Sequence, residues 1–152
     1  MNVKQLKQGL AALLFALLVG AASAGTRDVT VTLQPVDVVA WVVTAVEGAE
    51  GVAKLGVENT PITLTVGQRY RFVNLGTVQV HPLALRGEDG EPLINQRPQD
   101  RPFETDPAVD FRADDEGITF TLTEDLAAQL GTYYCTAHPA PLMEAPLKVA
   151  KP

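Results

Sequence analysis

After the first 24 residues of the 152-residue chain, two histidines, one cysteine and one methionine are the only imidazole and sulfur side chains. Three of these side chains lie within nine residues, in the pattern Cys135-x2-His138-x4-Met143. The fourth, His81, lies far upstream on a different predicted strand. Two imidazoles, a thiolate and a weakly bound axial thioether are the ligand set of a trigonal copper site. The sequence therefore predicts that these four residues bind one copper ion.

The donor types fit a metal that changes oxidation state. Thiolate and thioether sulfur suit Cu(I), whereas imidazole nitrogen also accepts Cu(II), so a mixed set needs little rearrangement when an electron passes. A tight loop after a strand can turn Cys135, His138 and Met143 toward one point, while a neighbouring strand delivers His81. Pro139 and a second proline two residues later would stiffen that loop.

Each residue also has an ordinary interpretation when taken alone. Cys135 could be an inert buried thiol, Met143 or His81 a core side chain, and His138 a surface histidine. Zinc accepts Cys and His but rarely a thioether. A Cys–His hydrolase is disfavoured because both residues share one loop without a Gly-rich oxyanion motif. A multicopper catalytic site would need many more histidines, so we expect the protein not to be an enzyme.

Composition limits the class of protein further. The chain has 12 basic and 18 acidic residues and a net charge of −6, which argues against nucleic-acid binding. Hydrophobic residues make up 46% and charged residues 20%, as in one globular domain. A single cysteine excludes a disulfide framework and a Cys-based zinc cluster.

The first 24 residues resemble an export signal. Lys4 and Lys7 precede an apolar run, Leu10–Val19, and the small residues Ala22–Ala24 precede Gly25. The run is shorter than the about 20 residues that span a membrane, although an uncleaved anchor is the alternative. We therefore expect an exported protein, periplasmic or extracellular, and not an integral membrane protein if the signal is cleaved.

Residues 25–152 are predicted to form one all-β domain. Asp28–Leu33, Ile62–Val66 and Arg69–Asn74 show the alternation or β-branched content of strands. Thr123 is placed to start a short helix that Gly131 would end. About eight short strands with one short helix and no internal repeat indicate a β-sandwich or Greek-key barrel.

Residues 86–117 interrupt the strand pattern with ten acidic residues and four prolines. Such a stretch is long for a plain connection. It is either a solvated surface excursion or a docking surface for a basic partner, whose association rate should then fall as salt rises.

The motif Gly131-Thr132-Tyr133-Tyr134-Cys135-x2-His138-x4-Met143 resembles the cupredoxins, the small blue copper proteins. Its ligand loop is similar to those of plastocyanin, pseudoazurin and halocyanin, and the resemblance covers roughly residues 57–150. It implies an eight-stranded Greek-key β-sandwich with one type 1 copper. His81 and His138 would be the imidazole ligands, Cys135 the short thiolate ligand and Met143 the axial one. Redox protein partners would dock near His138.

Two positions depart from the family pattern. Asn commonly follows the first histidine and ties the ligand loops together, but this chain has Pro82, which lacks an N–H. A glycine usually stands two residues after the methionine, and here that position is Ala145. Both changes affect residues around the ligands rather than the ligands themselves.

These observations lead to one expected function and two rivals. The first is an exported type 1 copper protein that transfers single electrons between redox partners. The second is a copper carrier that sequesters copper or delivers it to an exported oxidase. The third is a metal-free cupredoxin-like interaction module. Fast reversible voltammetry would favour the first, and rapid copper transfer to a chelator would favour the second.

Overall fold

The computed structural model describes residues 28–138 and 142–150. The predicted signal peptide, residues 1–24, and the two loop prolines lie outside the described residues. No helix in the described ranges is long and apolar enough to cross a membrane.

Within these ranges the chain forms ten strands and two short helices. The strands are β1 (Val29–Val36), β2 (Ala40–Glu47), β3 (Ile62–Leu64), β4 (Arg69–Asn74), β5 (Leu83–Gly87), β6 (Pro92–Asn95), β7 (Arg112–Asp114), β8 (Gly117–Thr121), β9 (Leu130–Cys135) and β10 (Glu144–Val149). The helices are α1 (Pro102–Thr105) and α2 (Glu124–Ala127). One sheet has the order β2-β1-β4-β8-β7 and the other β3-β10-β9-β5-β6. The all-β prediction is confirmed.

The strand and helix counts differ from the predicted eight and one, and residues 86–117 account for the difference. This segment supplies β6, α1 and β7. Leu93, Ile94 and Val109 are buried in the core, and Phe103 packs against it. The high acid and proline content of the segment conceals these apolar residues, so that it reads as a surface excursion. Part of it is a structural edge of both sheets.

The core is formed by apolar side chains of the two sheets. In β4 the residues alternate between half-buried and buried, and Tyr70 and Phe72 share the buried face. Phe72 meets Phe120 of β8 edge to face, with ring centroids 5.5 Å apart. Such aromatic pairs add about 0.5–1.5 kcal/mol beyond the area that they bury. The alternation that is visible in the sequence therefore sets which face of β4 enters the core.

Strand pairing in the second sheet brings the predicted ligands to one end. β5 and β9 are antiparallel, with Leu83 opposite Cys135. β9 and β10 are antiparallel as well, with Glu144 opposite Tyr134. The end of β9 therefore lies beside the beginnings of β5 and β10, and the residues just before those two strands meet the last residue of β9.

Residues at the strand and helix ends indicate some of the element boundaries correctly and one of them wrongly. β5 begins at Leu83, directly after Pro82, which has no N–H to donate to a strand ladder. The Thr123 hydroxyl accepts a hydrogen bond from the Leu126 amide and caps α2. The prediction that Gly131 ends this helix is wrong, because Gly131 lies in β9. A Cβ atom there would lie 2.7 Å from the Gly87 carbonyl carbon, so close strand approach explains the glycine.

Arg71 of β4 and Asp114 of β7 join the edge of the first sheet through a 2.7 Å ion pair. The hydrogen bond from Arg71 holds the pKa of Asp114 below its ordinary value of 3.8. The ion pair therefore stabilises the folded state fully at pH values above 3.8. This stabilisation is lost as the pH falls through the lower pKa that Asp114 has in the folded protein.

We expect Asp114→Asn to destabilise the protein at pH 7. Since 56% of the Asp114 side chain is exposed, the loss should stay below about 1 kcal/mol. Urea unfolding at pH 7 measures it, and the difference from wild type should shrink as the pH falls below 3.8. Asp115→Asn, which removes the neighbouring exposed carboxylate, is the control. An equal loss in both variants would contradict a specific role for the pair.

Candidate metal centre

Three of the four predicted ligands come together at the end of β9. The Cys135 sulfur lies 3.9 Å from Nδ1 of His81 and 3.3 Å from Nδ1 of His138. One ligand atom from each residue lies within 4.8 Å of those of the other two. Cys135 and His81 are buried, whereas His138 is half-buried. This group could hold a metal ion, with His138 as the ligand nearest solvent.

The spacing of the donor atoms fits one metal ion. Metal–sulfur bonds of about 2.3 Å and metal–nitrogen bonds of about 2.0–2.1 Å place sulfur and nitrogen about 3.6–3.8 Å apart at tetrahedral or trigonal angles. The two observed separations, 3.9 and 3.3 Å, lie on either side of that value. Both sulfur–nitrogen separations therefore differ from the coordination value by only a few tenths of an ångström.

His81 is held by its own loop and by the core. Its amide donates to the Thr77 carbonyl at 2.8 Å, which closes a turn just before β5. Its ring lies 6.2 Å from the buried Trp41 ring, at an interplanar angle of 71°. Burial first, and then the charge of His138, lower the pKa of His81. The ring is therefore held in the neutral form that binds metals.

Cys135 is placed by backbone hydrogen bonds on both sides of the ligand loop. Its amide donates to the Met143 carbonyl at 2.9 Å. The amides of Ala137 and His138 donate to its sulfur and act to lower the pKa of the thiol, but burial outweighs them and the net pKa is raised. Without metal the residue is thus a buried thiol. Metal binding must displace its proton.

Met143 is linked to Cys135 by a backbone hydrogen bond. Its side chain is completely buried in the core cluster, and its carbonyl hydrogen bond to Cys135 joins the two ends of the ligand loop. A role for its sulfur as the axial ligand stays a prediction from the sequence pattern.

Sequence reasoning missed Asn59, which ties the ligand loop to the core. Its side-chain amide donates to the Leu142 carbonyl at 2.8 Å, and its side-chain oxygen accepts from the Trp41 amide at 3.0 Å. Asn59 has a positive φ of 48°, and Asn adopts this conformation more readily than most residues. An Asn two residues before Pro61 is a turn signal, but nothing local reveals its distant partners.

Comparisons of the chain with family models, curated proteins and solved structures gave no match. What stands on structural grounds is a β-rich protein with a buried His–Cys–His group that could hold a metal ion.

We expect the chain to bind one Co(II) ion with a thiolate-to-metal charge-transfer band in the near ultraviolet. Cys135→Ser should lose that band and weaken binding, because a hydroxyl is a poorer donor to this ion than a thiolate. Tyr134→Phe is a matched control, since it changes the adjacent residue on the other face of β9. Titration followed by absorption measures both variants. An unchanged band in Cys135→Ser would exclude the cysteine as a ligand.

Proposed function

We propose that the protein is an exported type 1 copper protein of the cupredoxin kind that transfers single electrons between redox partners. The observation that carries the proposal is the Cys135 sulfur lying within 3.9 Å of the Nδ1 atoms of two histidines at one end of a β-sandwich. Copper would supply reversible one-electron chemistry between Cu(II) and Cu(I). The signal-like residues 1–24 support export to a periplasmic or extracellular location.

Each ligand has a distinct role in this proposal. Cys135 is the short thiolate ligand, His81 the buried imidazole and His138 the imidazole facing solvent. Met143, with its side chain in the core, is the weak axial ligand that tunes the potential. The eight strands other than β6 and β7 would correspond to the Greek-key sandwich of the family.

The surface around the centre supports brief docking of redox partners near His138. Val80 and Leu142, each next to a ligand residue in the sequence, are 53% and 42% exposed. Exposed apolar side chains next to ligand residues favour a partner surface that is itself apolar. Such contacts are easily formed and released, as an electron carrier requires.

We also propose that a basic partner binds the acidic segment, residues 86–117, but only over a small part of its surface. Several acids of residues 86–117 already pair with arginines, including Glu104 with Arg101 and Asp110 with Arg69. The acids of residues 88–91 lie in the exposed turn between β5 and β6, at the opposite end of β5 from the metal centre. A basic partner would contact that turn rather than the surface around His138.

Adding Cu(II) to the chain should produce a strong blue band that dithionite removes and reoxidation restores. Cys135→Ser should stay colourless, because the band arises from the thiolate. Voltammetry should be fast and reversible, with copper retained in both oxidation states.

The same measurements separate the rivals. Rapid copper transfer to a competing chelator would favour a copper carrier that supplies an exported oxidase. Absence of copper binding would favour a metal-free interaction module and would overturn the proposal.

Met143→Leu should keep copper and raise the reduction potential, since a weak donor to Cu(II) is removed. Leu122→Met, the reverse exchange at another fully buried position, is the control and should leave the potential unchanged. Voltammetry of both copper-loaded variants measures the difference. A potential that does not rise in Met143→Leu would count against the axial role.

A further inference from the structure

A buried pair of side-chain amides lies behind His81. Asn74 is the last residue of β4, Gln96 follows β6, and both are about 4% exposed. The Asn74 amide group donates to the His81 carbonyl at 2.7 Å and to the Gln96 side-chain oxygen at 2.8 Å. The Asn74 oxygen accepts from the Gly76 amide at 2.8 Å. Asn74 thus holds both ends of the loop that leads to His81.

Gln96 uses its full hydrogen-bonding capacity. Its oxygen accepts from Asn74 and also from the Leu83 amide at 3.1 Å. Its amide group donates to the carbonyls of Asp114 and Asp115 at 2.9 and 3.2 Å. One side chain therefore joins the β7–β8 turn, the end of β4 and the start of β5. A buried network whose members are all satisfied rigidifies the surrounding structure.

The network holds the backbone on both sides of Pro82. The carbonyl before it is held by Asn74, and the amide after it by Gln96. The carbonyl of Pro82 accepts from the Thr136 amide at 3.0 Å, directly after Cys135. Proline has no N–H to donate to the neighbouring loop. The Pro82 carbonyl and the side chains of Asn74 and Gln96 therefore form the hydrogen bonds that connect the backbone around His81 to the rest of the fold.

From these contacts we infer that Gln96, together with Asn74, is a positioning residue for His81, and that residues 86–117 brace the metal centre from inside. The inference rests on the metal-binding role in the proposed function. Without Gln96 the Leu83 amide loses its partner and Asn74 loses the acceptor that orients it. His81 would then sample more than one position before and after metal binding.

The test compares Gln96→Met with Val109→Ala in the full chain. Methionine has a similar length but cannot replace the hydrogen bonds, whereas Val109 is a fully buried residue of the same segment outside the network. In metal-free protein, the His81 ring signals in NMR spectra should broaden or double in Gln96→Met and stay single in Val109→Ala.

A second readout is the release of Co(II) to a chelator. Loss of groups that orient a metal ligand commonly costs about 10–100-fold in affinity, so we expect release from Gln96→Met to be about tenfold faster. Val109→Ala should lower the melting temperature without this change. Should Gln96→Met fail to fold, Asn74→Ser, which withdraws the donor to His81, replaces it in both measurements.

Wild-type His81 signals and wild-type Co(II) release in Gln96→Met, with only a lower melting temperature, would overturn the inference. Neither readout depends on copper colour or electron transfer. A wild-type chain without a blue band would therefore refute the proposed function, while a perturbed His81 in the variant would still support the brace.

Discussion

The pairing of β5 with β9 is the constraint on which the candidate centre depends. His81 and Cys135 are 54 positions apart in the sequence, and only the antiparallel register that sets Leu83 opposite Cys135 brings them together. A shift of this register by one residue would turn every side chain of the strand to the other face. The antiparallel register of β5 with β9 thus specifies the core and the centre together.

Burying these donors carries a cost that the surrounding backbone offsets. A polar group without a partner in an apolar interior costs about 1–3 kcal/mol in protein mutational data. Amides of the ligand loop reach the Cys135 sulfur, and its own amide pairs with Met143. The His81 amide donates a hydrogen bond to the Thr77 carbonyl, and the His81 carbonyl accepts one from the Asn74 side chain. The loops are therefore ordered by hydrogen bonds that do not require a metal.

Much of this arrangement could be predicted because its signals are local. Alternation set β4, the hydroxyl of Thr123 marked the start of α2, and the Cys135-x2-His138 spacing identified two donors. Gln96 could not be found in this way, because its importance comes from partners on three other elements. The same holds for β6, whose Leu93 and Ile94 gain a buried place only when β5 is already present. Long-range pairing, together with the acid- and proline-rich composition around β6, limited the prediction.

The two histidines differ in how firmly the fold holds them, and this difference bears on function. His81 is fixed by a turn, by the Trp41 ring and by the amide network, whereas His138 lies on a loop and is half-buried. A centre with one side anchored in the sandwich can keep its donor positions while its exposed side meets a partner. In the proposed function, both electron transfer and the slower loss of copper would occur through the His138 side. The balance between them would then be set by how rigidly the His81 side is braced.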